Sequence, residues 1–245
     1  WLLTLVVSGI SLLVSVALLG QILEHGVIDY TFGGWAAPFG IAYHIDFANA
    51  YVLLIVTAIS TVVSIFAKRS VASEIETHSQ GLFYTAWLLC LTGLLGITIT
   101  GDAFNLFVFL EISSLSSYVL IAMGNDRKAL TAAYQYLIMG TIGATFILIG
   151  IGLLYMLTGT LNMLDMAQRL VAVSDSRTAR TGFAFLTVGL GLKIALFPLH
   201  LWLPNAYAYA PSAVSAFLAA TATKVAVYVL LRFMFTVFGI DFALG

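Results

Sequence analysis

Residues 191–232 read GLKIALFPLHLWLPNAYAYAPSAVSAFLAATATKVAVYVLLR, and the rest of the chain is understood outward from them. The stretch holds two apolar helical segments, each with one lysine deep among hydrophobic residues, Lys193 and Lys224. Between them lies a joint containing Pro198, His200, Pro204 and Pro211. An ammonium at the centre of a bilayer costs about 2.5–3.5 kcal/mol on insertion scales. Two of them in neighbouring helices call for a reason.

The whole chain has the same character. Of its 245 residues 61% are hydrophobic and only 9% charged, outside the range of a soluble domain and within that of a polytopic membrane protein. The net charge is −1 with no basic or acidic run, so no nucleic acid is expected as a partner. The single cysteine, Cys90, sits in an apolar run and reads as a small buried hydrophobe, neither pairing nor building a metal site. The chain opens at Trp1 inside an apolar segment, without a charged leader, and stops at Gly245 just after a helix. Both ends are expected to be internal to a longer chain, with no signal peptide.

Apolar stretches long enough to cross a hydrocarbon core of about 30 Å fall at 2–23, 47–67, 82–100, 103–123, 131–157, 182–203 and 212–238. The expected fold is therefore an all-α membrane protein of about seven transmembrane helices. The connection over 24–46 has no Lys or Arg and alternates as a short interfacial hairpin does. Lys68 with Arg69, and Arg127 with Lys128, fall at one end of an alternating bundle, which the positive-inside rule assigns to the cytoplasm. Arg169, Arg177 and Arg180 fall at the opposite end.

Smaller features refine this. Asp102, just before Ala103, is expected to cap the fourth span. LNMLDMAQRLV places Leu161, Leu164, Ala167 and Val171 at helical spacing, as a surface helix would. The fifth span carries Gly140, Gly143, Gly150 and Gly152, and Gly140-xxx-Ala144 permits close helix approach. Tyr134, Thr141 and Thr145 lie on one stripe, expected to hydrogen-bond between helices, with lining of a hydrated path as the alternative.

Counting 1.5 Å per residue puts Glu111 about 12 Å into its span, Lys193 about 16 Å and Lys224 about 18 Å, all near the midplane. Such groups face the bundle interior or a wet cavity and mark ion pathways. Glu111 shares a helical face with Ser114 and Tyr118, Lys193 with Gly189 and, as a candidate further along, His200, and Lys224 with Thr221 and Tyr228. Burial disfavours the charged form of either group, and an opposite charge close by favours it. A Glu–Lys pair whose separation changes is therefore a proton switch. The alternative is a permanent Glu111–Lys193 pair that only fixes helix register, a weak device because desolvation offsets the Coulomb gain.

Pro198 cannot donate to the Ile194 carbonyl, so a break or kink is expected one turn beyond Lys193. Freed carbonyls at that depth are tolerated only against protein or water, and interrupted helices near the midplane are where transporters hold ions. His200 either relays protons between the two lysines or is a hydrogen-bonded interfacial histidine. Pro204 and Pro211 are expected to shape the turn, with Pro211 opening the last span, and Arg232 to snorkel from its end.

FNLFVFLEISSLSSYVLIAMG, LLYMLTGTLNMLDMA and KIALFPLHLWLPNAYAYAPSAVSAFLAATATKVAVYVLLRF are also long, specific strings. Through them the chain resembles the antiporter-type proton-conducting subunits shared by respiratory complex I and the multisubunit Mrp-type Na⁺/H⁺ antiporters, with the D-type member of the latter the nearest in pattern. The resemblance implies a proton path in which Glu111, Lys193, Lys224 and His200 match the family's glutamate, its two lysines and the histidine after the helix break, which Pro198 and Pro204 accompany. It implies one five-helix translocating repeat with a proline-broken helix over 81–238, two preceding spans with an interfacial loop over 1–80, and the start of a following region over 239–245. A second, inverted repeat would complete the channel. The implied partners are other membrane subunits of an antiporter or respiratory complex, H⁺ with Na⁺ as the second candidate ion, and the lipid bilayer; the implied location is a bacterial or archaeal cytoplasmic membrane. Asn205 stands where many complex I members carry an acid, which favours the antiporter type.

Two other classes compete. A seven-helix retinal protein would use Lys224 as its Schiff-base lysine but leave Lys193, Glu111 and the proline joint without a role. A redox enzyme would need cofactor ligands, yet His200 alone falls within a span, cysteines are too few for a cluster, and no Gly-rich nucleotide motif appears. No cofactor or metal is expected, and the chain reads as a transporter subunit.

Overall fold

The computed structural model describes residues 1–239 and 242; the expectation for 239–245 therefore lies largely outside the described residues. Helices dominate: α1 (Leu2–His25), α2 (Phe47–Glu74), α3 (Gln80–Ile99), α4 (Ala103–Ala122), α5 (Arg127–Thr158), α6 (Met163–Leu170), α7 (Arg177–Ile194), α8 (Trp202–Tyr209) and α9 (Ser212–Leu231), which runs on into a π-turn, Arg232–Val237. Among the described residues six are long and apolar enough to cross a membrane, namely α1–α5 and α9 with its π-turn. The seventh expected span, 182–203, is not one helix. It is split into α7 and α8 by the non-helical residues 195–201, so the described residues form an all-α membrane protein with six candidate spans and, where a seventh was expected, the helix pair α7 and α8.

Local chemistry sets the helix ends. Asp46 caps α2 by accepting from the Ala48 and Asn49 N–H groups, and the Asn49 side chain accepts in return from the Asp46 N–H. Asp102 caps α4 by accepting from Asn105 N–H at 2.7 Å, as its position foretold. Asp126, Asn162 and Ser176 do the same for α5, α6 and α7. Gly159 ends α5 in the left-handed conformation, φ 68°.

Between α1 and α2 stand two strands, β1 (Ile28–Thr31) and β2 (Ala42–Ile45), paired antiparallel with Ile28 opposite Ile45. The hairpin is stitched to the bundle by Gly101 N–H donating to the Ala42 carbonyl at 2.9 Å. The α6 turn is stitched to the same corner, with Ala103 N–H donating to Leu161 and Met163 N–H to Gly101, both at 2.8 Å. That corner is the hairpin end of the bundle. At the opposite end the Glu74 carboxylate accepts from Ser212 N–H at 2.8 Å, joining α2 to the start of α9.

Lipid offers no hydrophobic drive between helices, so close backbone approach carries the packing. A Cβ on Gly189 would stand 2.6 Å from the Gly143 carbonyl oxygen, and one on Gly150 3.0 Å from that of Gly182. Two glycines seven apart on α5 thus meet two seven apart on α7. Gly140 serves a different neighbour: its missing Cβ is the space that the Tyr118 hydroxyl of α4 occupies. Trp87 of α3 stacks on Phe217 of α9 at 4.4 Å.

Several expectations are corrected. On α6 the buried stripe is Met163, Met166 and Leu170, while Leu164 and Val171 are exposed; the helix docks by the face next to the one its Leu/Val spacing suggested. Tyr134, Thr141 and Thr145 lie on the exposed side of α5, and both threonine hydroxyls donate to their own helix, to Leu137 and Thr141 carbonyls. They link no helices among the described residues. Pro204 does not shape the break but sits in the first turn of α8, where a missing N–H leaves no helical bond unmade. Pro211 is the residue before α9, not its first. Arg232 does not snorkel: its guanidinium is held by Asp46 at 2.7 Å.

Candidate functional site

The break in the seventh span explains where Lys193 can sit. Helix α7 ends at Ile194 because Ala195 adopts a left-handed conformation, φ 62°, three residues before Pro198. Its last carbonyls are then satisfied locally: Gly191 accepts from the Ala195 and Leu196 N–H groups, and Leu192 accepts from the Trp202 indole N–H of α8 at 3.0 Å. A helix C-terminus carries partial negative charge, so an ammonium in this last turn is favoured by the helix that presents it.

Lys193 is almost fully enclosed, its side chain 3% exposed, against 27% for Glu111. Its Nζ donates to Ser114 Oγ at 2.8 Å and reaches Glu111 Oε1 at 3.5 Å. Glu111, Ser114 and Tyr118 line one face of α4, and the Tyr118 hydroxyl, packed against Gly140, has no hydrogen-bond partner among the described residues. The structure thus brings Glu111 and Ser114 of α4 together at the Lys193 ammonium.

Beside this group lies a cavity of about 20 Å³ lined by Lys193, Ser113, Ser114, Ser117 and Tyr136, with Leu94, Ile97 and apolar residues of α9. That is room for about one water. The Ser113 and Ser117 hydroxyls donate to Leu110 and Ser113 carbonyls of their own helix, so both oxygens are acceptors at the cavity wall, Ser117 Oγ already with Cys90 Sγ at 3.4 Å.

Lys224 does not join this group. The α9 residues that line the cavity are Ala222, Val225, Ala226 and Val229; at 3.6 residues per turn Lys224 points roughly 150° from the centre of that stripe. It is exposed, and its Nζ donates to the Ala219 carbonyl and the Thr223 hydroxyl. Among the described residues it forms no ion pair. His200 lies in the break, partly buried, its ring 5.6 Å from that of Phe197 and its Nδ1 without a hydrogen-bond partner among the described residues. Among the described residues it hydrogen-bonds neither lysine. Cys90 is fully buried, Sγ 3.4 Å from Ser117 Oγ, and burial pairs it with nothing that suggests reactivity.

Sequence reasoning missed a groove on the outer side of this site. An open groove of about 290 Å³ between α5 and α8 is lined by Gln135, Met139, Leu201, Trp202 and Asn205, with Asn205 donating to Gln135 at 3.1 Å. Trp202 forms its inner wall and stacks on Tyr136, centroids 4.0 Å apart and planes 3° from parallel. Tyr136 in turn lines the Lys193 cavity. Two stacked rings therefore separate the groove from the buried ammonium. The repeated serines of EISSLSSY were the available signal for the inner cavity; nothing in the one-dimensional pattern pairs Tyr136 with Trp202.

The family model described as NADH:quinone oxidoreductase/Mrp antiporter, TM, matches residues 100–243. Among similar proteins, the N-type subunit of NADH-quinone oxidoreductase from Desulforudis audaxviator is 45% identical over 208 residues, 85% of this chain and 41% of that protein. The D-type subunit of the Na⁺/H⁺ antiporter from Alkalihalophilus pseudofirmus is 31% identical over 240 residues, 96% of this chain and 48% of that protein. The chain spans under half the length of these relatives. A chain of the archaeal membrane-bound sulfane sulfur reductase, a respiratory membrane complex, superposes with a TM-score of 0.90 at 30% identity, covering 98% of this chain and 49% of that one. A chain of the Mrp complex from Dietzia sp. gives 0.86 at 28% identity, covering 96% and 43%.

Proposed function

The chain belongs to the NADH:quinone oxidoreductase/Mrp antiporter transmembrane family, and on that premise we propose that this integral membrane protein moves protons across the bilayer as a D-type component of a multisubunit cation/H⁺ antiporter. The observation that carries the reading is a lysine sealed in the last turn of an interrupted helix, between a serine hydroxyl and a glutamate, beside a cavity the size of one water. Residues 81–238 act as the translocating unit. A proton reaches Lys193 from the α5–α8 groove when the Tyr136–Trp202 stack parts and admits water. Lengthening of the Glu111 contact then lowers the hold on that proton, and His200 and Lys224 are the next acceptors. An ammonium exposed to lipid at the depth of Lys224 would cost about 2.5–3.5 kcal/mol, which supports protein or water from outside the described residues covering that face. Partner membrane subunits are the natural source of the energy, whether by exchange against Na⁺ or by redox work elsewhere in an assembly.

A second reading, a proton-pumping subunit of a quinone-reducing complex or of a membrane-bound hydrogenase, is favoured by the 45% identity to an N-type subunit. In either case the chain supplies conduction and no redox chemistry of its own. The test is coupled proton transport by the full-length protein in its assembled complex in proteoliposomes. Glu111→Ala, Lys193→Ala and Lys224→Ala are each expected to abolish it with folding intact; normal transport in all three would overturn the reading. Transport driven by a Na⁺ gradient, or only by electron input, separates the two assemblies.

A further inference from the structure

A second polar cluster, at the hairpin end and far from Lys68, Arg69, Arg127 and Lys128, is unused by this path. Arg232, first residue of the π-turn after α9, donates from Nη1 to Asp46 Oδ2 at 2.7 Å and from Nη2 to Asp46 Oδ1 at 2.9 Å and Asn49 Oδ1 at 2.7 Å. Its Nε and Nη2 also donate to the Tyr228 hydroxyl at 3.2 Å. Asn49 donates to that hydroxyl at 2.9 Å and to the Thr98 carbonyl, and the hydroxyl donates to Thr98 at 3.2 Å. Thr98 and Asn49 are at most 1% exposed and Tyr228 7%, while the Arg232 and Asp46 side chains are 10% and 23% exposed, so three helices, α2, α3 and α9, are joined here by a largely buried cluster that reaches the hairpin-end surface at Asp46.

The position of the cluster gives it a task. Ile97 and Val229, chain neighbours of Thr98 and Tyr228, line the Lys193 cavity. Asn49 and Arg232 line another small cavity, about 10 Å³, together with His44, Thr100 and Gly101 at the hairpin end. The cluster therefore stands between the cavity and that surface. Its chemistry is hostile to a passing proton: the guanidinium does not deprotonate in proteins, it opposes an incoming cation as pore-lining arginines do, and the Asp46 carboxylate is filled by Arg232 and the Ala48 and Asn49 N–H groups. The tyrosine proton is committed to Thr98.

Resting on the proton-path reading, we propose that the Asp46–Asn49–Tyr228–Arg232 cluster is a barrier that closes the direct route from the Lys193 cavity to the hairpin-side surface, so that protons leave Lys193 only toward the α9 face. The barrier is static; the moving parts lie at the α7–α8 break.

The test uses the full-length protein in its assembled complex, with Cys90→Ser and a single Ala226→Cys placed in the cavity wall. Silver ion, a thiol-reactive cation small enough for a cavity of one water, added from the hairpin side is expected to leave Ala226→Cys unlabelled, and to label it about ten-fold faster once Asp46→Asn or Arg232→Gln is added, the size of one lost charge-assisted hydrogen bond. In proteoliposomes an imposed pH gradient decays faster in those variants, and Lys193→Ala added to them removes the excess decay. Arg232→Lys keeps the cation and is expected to stay closed; opening as wide as Arg232→Gln would make the cluster a packing clasp and overturn the barrier. Unchanged labelling and decay in Asp46→Asn and Arg232→Gln, with thermal melting showing folded protein, would also overturn it. Loss of coupled transport in Lys193→Ala alone would leave the path reading standing in that event.

Discussion

Lys193 donates to the Ser114 hydroxyl at 2.8 Å, a shorter contact than its 3.5 Å approach to Glu111. A neutral hydroxyl is thus the nearest described partner of a buried ammonium. Hydrogen bonds to charged groups contribute about 1.5–3 kcal/mol, so Ser114→Ala is expected to lower stability by about that amount. Thermal melting in detergent checks it, and a Lys193→Met background should erase most of the loss, because the charge that needs the hydroxyl is gone.

The α5–α7 crossing has no slack where backbone meets backbone. Gly189→Ala would set a methyl 2.6 Å from the Gly143 carbonyl oxygen and 2.8 Å from Ile147 Cγ1, and overpacking of this kind costs about 1–3 kcal/mol or more. Gly140→Ala meets a side-chain tip instead, the Tyr118 hydroxyl. Pairing it with Tyr118→Phe is expected to recover part of the melting temperature, whereas no single side-chain truncation should rescue Gly189→Ala.

Trp202 has two duties that one substitution separates. Trp202→Phe keeps a ring against Tyr136 but removes the 3.0 Å donor to the Leu192 carbonyl, which still accepts from Ala195 N–H at 3.2 Å, a loss of about 0.5–1.5 kcal/mol. Trp202→Ala also removes the partition. Proton uptake from the groove side is expected to remain gated in Trp202→Phe and to become leaky in Trp202→Ala, measured as decay of a pH gradient.

Asp46 sets the acid limit of the hairpin end. Burial alone would raise its carboxyl, but the Arg232 hydrogen bonds and charge, the Asn49 N–H and the charge of His44 outweigh burial and hold it below the ordinary aspartate value. A lowered value means stability that is fully present above the unfolded-state value of about 3.9 and is lost as pH falls through the folded one. Melting temperature of the wild type should exceed that of Asp46→Asn at neutral pH, and the gap should narrow below about pH 4.

What could be seen in one dimension followed from how strong each local signal is. Spans, caps such as Asp102 and the interruption after Lys193 were legible because a bilayer leaves the backbone few options and Pro198 removes one of them. The precise stop was not, since Ala195 turns left-handed without any residue-type signal. Glu111 and Lys193 could be paired by depth, but depth carries no azimuth, and Lys224 at equal depth turns to the other side of α9. Arg232 looked like a snorkelling end-group because its partner, Asp46, is 186 residues away in a connection that reads as a loop. Helical spacing on α6 offered two stripes, and only packing against the bundle selects Met163, Met166 and Leu170.

The central claim is that a proton rests on Lys193 and leaves it during transport. The direct measurement is coupled proton flux in proteoliposomes of the assembled complex carrying Lys193→Met, which keeps the length of the side chain and removes its proton, with Lys193→Arg alongside to keep charge but hold the proton permanently. Both variants are expected to fold and to carry no coupled flux; flux at the wild-type rate in either one would contradict the claim.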